Sequence, residues 1–202
     1  QGQYSIAIGY QSGKIDQNTF SVAVGYQSGS NSQGSNSVAI GREAGSNSQN
    51  ALSVAVGFQA GQVIQGSRSV AIGSNAGQSS QATRAIALGS AAGQSSQATR
   101  AVAVGEAAGQ TEQSTEGVAM GYWAARLSQA RAAVSIGNKA GESNQSLQAV
   151  AIGDVAGQID QGVNGIAIGR GAAGSSQGEY AVAIGRNTGY SDQGDFSIAI
   201  GT

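Results

Sequence analysis

The sequence predicts an all-β protein, a parallel β-solenoid (β-roll) with sixteen-residue coils, and three observations lead there. Glycine recurs at 9, 25, 41, 57, 73, 89, 105, 121, 137, 153, 169, 185 and 201, every step sixteen residues with no insertion. A unit that short cannot bury a core alone, so it reads as one turn of a stacked array. The four residues before each glycine alternate small and β-branched side chains, as in Ser37-Val38-Ala39-Ile40, which is the period-two signature of a strand. Glutamine holds one fixed place between successive glycines. Residues 1–202 are therefore expected to form a single array of about 12.5 coils, uncapped at both ends, and to be a segment of something longer or a unit that joins others.

Composition narrows the function. There are 33 glycines, no proline, ten basic residues against eleven acidic ones, and a net charge of −1. Nothing electrostatic favours a nucleic acid. Apolar runs stop far short of the roughly 20 residues a membrane helix requires, so direct membrane insertion is not expected. Cysteine and histidine are absent, which removes disulfides, thiolate zinc sites and histidine catalysis. Asp16, Asp160 and Asp192 stand singly, without the paired aspartates and glycines of a calcium-binding solenoid. Gly9-Tyr10-Gln11-Ser12-Gly13-Lys14-Ile15 is one residue short of a phosphate loop. No catalytic, cofactor-binding or metal-binding residue is assigned, no cofactor is expected, and the chain is not read as an enzyme.

Numbering each coil from its glycine, position 4 is small throughout, and position 5 is glycine except at Ala125 and Ala173. Positions 6 to 8 and 10 to 12 carry the residues of turns, and a second short strand is expected around positions 3 to 8. Helix is disfavoured, because glycines this frequent cost about 1 kcal/mol each in a helix. Position 9 is Gln17, Gln33, Gln49, Gln65, Gln81, Gln97, Gln113, Gln129, Gln145, Gln161, Gln177 and Gln193. Stacked ~4.8 Å apart, such amides are expected to form a structural glutamine ladder.

The strand at positions 13 to 16 sends Val38 and Ile40 to one face and Ser37 and Ala39 to the other. With the large aliphatics assigned to the core, the second face becomes a column of Ala23, Ala39, Ala55, Ala71, Ala87, Ala103, Ala119, Ala151, Ala167 and Ala183, interrupted by Ser135. A flat, uncharged strip of this kind is expected to be a contact surface. Two large aliphatics per coil are also a small apolar yield for ordering sixteen residues. Both points predict an oligomer joined through the alanine strip.

The repeated Ser-Val-Ala-Ile-Gly motif resembles the YadA-like head repeat of trimeric autotransporter adhesins. It is also similar to Val-Ala-Ile-Gly repeats of phage and viral fibre proteins, whose Gly-Tyr-Gln-Ala-Gly continuation has counterparts in Gly9-Tyr10-Gln11-Ser12-Gly13 and Gly57-Phe58-Gln59-Ala60-Gly61. The resemblance covers the full chain and implies a left-handed, parallel, trimeric β-roll on a surface-exposed fibre. The coil is two residues longer than the family's typical fourteen, and the family lacks the recurrent glutamine.

Departures from the repeat are the candidate ligand contacts. One coil holds Tyr122, Trp123 and Arg126, with the only tryptophan of the chain, and an aromatic beside arginine suits a sugar or protein contact. Arg68, Arg84 and Arg100 share position 12 of successive coils, and a basic column suits an anionic glycan or sulfate. The sequence thus reads as a structural and adhesive segment of an extracellular, cell-surface or virion fibre. Its expected partners are its own copies, as homotrimer or filament, and a host surface glycan or protein. The alternatives are an ice-binding solenoid, for which a regular threonine column is missing, and a filament stacked end to end.

Overall fold

The computed structural model describes all 202 residues, and every regular element in it is a strand. The chain divides into two compact units, Gln1–Arg100 and Ala101–Thr202. Each is a parallel β-solenoid, about 12 turns in all, and each turn contributes two short strands. The face strand occupies positions 14 to 16, as in Val38–Ile40, and the glutamine strand occupies positions 7 to 9, as in Asn47–Gln49. Face strands pair in parallel with a shift of one repeat, Val22 with Val38 and Ala23 with Ala39. Glutamine strands pair likewise, Gln33 with Gln49 in the first unit and Gln129 with Gln145 in the second. The exception is the turn containing Ser95, where only an isolated bridge to Ser79 remains.

The second strand is thus shorter and later than positions 3 to 8, because positions 3 to 5 are corners. Backbone φ is positive at positions 3, 5, 8 and 12 of a typical turn, for example Gln27 (52°), Gly29 (50°), Ser32 (58°) and Asn36 (56°). Asn, Asp and Gly tolerate this conformation best, which explains the turn vocabulary of the sequence. Ile64 and Val155 adopt it as well, at 54° and 51°, so the coil imposes its corners on residues that resist them. Hydrogen bonds between turns continue through the corners: Gln27 N–H donates to Tyr10 O at 2.8 Å and Gly29 N–H to Ala44 O at 2.9 Å. At position 1 a side chain is impossible. A Cβ on Gly41, at φ 124°, would lie 2.6 Å from Gly57 O.

The interior is narrow and holds no large aliphatic. Ala39, Ala44, Ser37 and Gln33 are all fully buried. The glutamine side chain crosses the coil: Gln33 Nε2 donates to Val22 O at 2.8 Å, and Gln49 Nε2 to Val38 O at 2.8 Å. Its carboxamide lies against position 5, where a Cβ on Gly29 would meet Gln33 Oε1 at 2.7 Å and Ala23 Cβ at 3.2 Å. Valine or isoleucine has no room in such a space. The strand therefore turns position 15 inward and positions 14 and 16 outward, the reverse of the assignment made from alternation alone. Ala23, Ala39, Ala55, Ala71, Ala87, Ala103, Ala119, Ala151, Ala167 and Ala183 are all 0% exposed. They are core, and the expected oligomer strip of alanines does not exist.

The glutamines also bond to one another. Gln65 Nε2 donates to Gln81 Oε1 at 3.3 Å and Gln81 to Gln97 at 3.1 Å. In the second unit the chain of amides runs from Gln113 through Gln129, Gln145, Gln161 and Gln177 to Gln193, each link between 3.0 and 3.2 Å. Ser135, the break in the alanine column, joins it by donating from Oγ to Gln145 Oε1 at 2.6 Å. Four oxygens stay outside: Oε1 of Gln17, Gln33, Gln49 and Gln65 is buried without a partner. Each of these glutamines precedes by four residues a serine whose Oγ donates to the carbonyl three residues back, as Ser21 does to Asn18 O.

One internal substitution pattern confirms how tight the interior is. Position 13 is glycine only at Gly117 and Gly165, and position 5 is alanine only at Ala125 and Ala173, eight residues later each time. In both turns the carboxamide oxygen lies beside position 13. A Cβ on Gly117 would sit 2.8 Å from Gln129 Oε1, and one on Gly165 would sit 2.8 Å from Gln177 Oε1. The methyl and the amide have exchanged places. Gly117→Ala alone should therefore destabilise the chain by about 1–3 kcal/mol through overpacking, whereas Gly117→Ala with Ala125→Gly should recover most of the loss. Urea denaturation of the single and double variants measures this coupling; simple additivity of the two changes would contradict the exchange.

Candidate association face and surface clusters

Because positions 14 and 16 point outward, each unit carries two parallel aliphatic columns on one sheet face. Val22, Val38, Val54 and Val70 form the first column of the Gln1–Arg100 unit and remain partly exposed. Ile40 and Ile72 in the second are 40% and 41% exposed. In the Ala101–Thr202 unit Met120, Ile136, Ile152, Ile168 and Ile184 continue the pattern as exposed side chains. Parallel sheets normally have both faces covered, and a flat aliphatic face on a repeat array marks a place where another surface sits. These residues were placed in the core by sequence reasoning. The signal that identifies them is the glutamine column: twelve large polar side chains in one register leave no interior for a second large residue.

Tyr122, Trp123 and Arg126 form one cluster. Tyr122 and Trp123 stack with centroids 5.0 Å apart, the Arg126 guanidinium lies 4.3 Å from the Trp123 ring centroid, and Lys139 Nζ lies at 5.0 Å. Lys139 stands at position 3 of the next turn, directly one repeat after Trp123, which is how the coil places it there. Arg126 reaches Glu142 at 3.5 Å, and Glu142 accepts from Gln158 Nε2 at 2.8 Å. Arg126 Nε is buried without a hydrogen-bond partner, so the guanidinium is held by the ring and the single carboxylate. The indole is thus clasped by two cations and a tyrosine, which limits its use as an open stacking platform.

Arg68, Arg84 and Arg100 lie at exposed left-handed corners, with φ of 60°, 60° and 61°. A polar lattice that sequence reasoning did not single out runs over positions 3 and 6. Glu43 accepts from Gln59 Nε2 at 2.7 Å and Gln62 Nε2 at 2.9 Å, and Arg42 Nε donates to its other oxygen at 3.2 Å. Asn75 and Gln78 extend it to Gln59 Oε1. The Gln59 hydrogen bond, opposed by desolvation and reinforced by Arg42, holds the Glu43 carboxyl below its ordinary value. That contribution exists above the ordinary glutamate pKa and is lost as pH falls through the lowered one; the site is open to water, so it is small.

Each unit is thus a stack of parallel turns with two aliphatic columns along one sheet face. Residues 1–12, 18–44 and 161–188 match the model of the YadA head domain repeat, in 2 copies. Over those stretches the chain is similar to an adhesin-type structural repeat. No curated protein and no solved structure matches the chain.

Trp123 makes the cluster easy to follow, since it is the only tryptophan. Arg126→Ala should shift its emission to the red and raise its quenching by acrylamide, while changing stability by no more than about 1 kcal/mol. Unchanged emission would show that the cation does not rest on the ring.

Proposed function

We propose that the chain is a structural and adhesive segment of a fibre on a cell or virion surface, assembled side by side as a parallel homotrimer through the aliphatic face. The observation that carries this reading is the outward direction of positions 14 and 16. A solvated strand would put polar residues there, yet both columns are Val, Ile, Leu or Met along the chain. Similarity to the YadA head repeat supports the same conclusion, because heads of that kind are trimeric and exposed at the surface. The work of such a segment is mechanical: it spaces and stiffens the fibre and presents corner side chains, the Trp123 cluster among them, to a surface glycan or protein. A structural role also fits an interior crossed by amides that bond to the face strands, and turns bonded to their neighbours through the corners.

Burying one isoleucine is worth about 1.5–3 kcal/mol, and a charge in its place opposes association further. Ile72→Glu with Ile168→Glu should therefore convert the trimer to monomer at micromolar concentration, with the far-ultraviolet circular dichroism unchanged because neither side chain enters the coil. Sedimentation velocity checks both proteins. A parent chain that sediments as a monomer would overturn the proposal.

A further inference from the structure

We infer that copies of this chain are joined by a specific seam: the position-12 corner of one copy lies against the position 2 that follows six residues later, at the start of the succeeding turn, in the neighbouring copy. This rests on the parallel side-by-side assembly proposed above. Position 12 lies two residues before each face strand and position 2 lies two residues after it, so they are the two margins of the aliphatic face. In a parallel ring, the leading margin of one copy meets the trailing margin of its neighbour.

The two margins match in most turns. In the Gln1–Arg100 unit Tyr4, Phe20 and Leu52 stand on the first margin, and the residues six positions on are Tyr10, Tyr26 and Phe58. All six are exposed, Tyr4 at 78% and Tyr10 at 63%. Tyr4 stacks on Phe20 at 5.2 Å and Tyr10 on Tyr26 at 5.4 Å, so each margin offers a preformed aromatic pair at the same two levels. At most levels where the first margin turns polar the second does too: Asn36 goes with Arg42, Arg68 with Ser74 and Arg84 with Ser90, Glu116 with Tyr122 being an exception. In the Ala101–Thr202 unit Gln148 goes with Asp154, Asn164 with Arg170, and Tyr180 with Arg186, the last a cation–π match.

The neighbouring register matches less well. Pairing each corner with the position 2 that lies ten residues earlier still offers Arg68 to Phe58 and Arg170 to Tyr180, but it sets Asn36 against Tyr26 and Leu52 against Arg42, and puts Glu116 against Glu106. Geometry permits both registers: at ~4.8 Å per turn, partners six residues apart differ in height by about 1.8 Å, and partners ten residues apart by about 3 Å. Chemistry selects the first. The seam explains why large apolar side chains sit at exposed corners, where a solvated coil gains nothing from them.

Crosslinking tests it, since the chain has no cysteine of its own. Phe20→Cys with Tyr26→Cys places the two thiols about 20 Å apart along one extended chain, beyond the roughly 7 Å limit of a disulfide, so a bond between them joins copies. Under mild oxidation this variant, and Leu52→Cys with Phe58→Cys as an independent pair, should yield a covalent trimer as the main species. Phe20→Cys with Tyr10→Cys should react several-fold more slowly, and Phe20→Cys with Phe58→Cys should stay uncrosslinked. A protein that sediments as a trimer but crosslinks faster in the Phe20–Tyr10 pair, or in neither pair, overturns the seam and leaves the assembly standing. A protein that sediments as a monomer removes the assembly and the seam with it.

Discussion

The width of the coil interior, set by a glutamine side chain lying across it, constrains the rest of the structure. A buried carboxamide must find partners, and this one finds them in the opposite strand and in the next turn: Gln145 Nε2 donates to Val134 O at 2.9 Å and to Gln161 Oε1 at 3.2 Å. The carboxamide leaves space only for methyls and hydroxyls around it. Alanine at position 15, small residues at positions 4 and 13, and glycine at position 5 follow from that single choice. Where one of them grows, another shrinks, as Ala125 and Gly117 show.

Function follows from the same constraint by exclusion. Strands need β-branched residues for their shape, and an interior already full sends those residues outward. The result is a sheet whose exposed face is the apolar one. Such a face suits a cover, and the cover proposed above is a second copy of the same chain. Core and proposed association surface are thus two consequences of one packing decision. A variant that widened the interior would disturb both.

Much of this was legible in the sequence. The sixteen-residue spacing gave the solenoid, the alternation gave the face strand, and the glutamine register gave an amide ladder like the one that runs from Gln113 to Gln193. The direction of the face strand was not legible, because alternation is symmetric: Val38 and Ala39 label two sides without saying which is inside. The usual preference for burying the larger aliphatic chose wrongly. A glutamine in every turn was the evidence against it, since a side chain of that length inside a two-strand coil excludes valine. Trp123 and Arg126 stood out because they share the most irregular coil, but Lys139 did not, because its approach depends on the stacking of successive turns. The polar lattice around Glu43 was hidden for the same reason.

Hydrogen exchange of the glutamine side chains tests the central claim most directly. Carboxamide protons of Gln113, Gln129, Gln145 and Gln161, enclosed and bonded across the coil, should exchange orders of magnitude more slowly than those of the outer glutamines Gln59, Gln62 and Gln78. Exchange of the two groups at similar rates would mean that the glutamines face water, and the inside and outside of the coil would have to be reassigned.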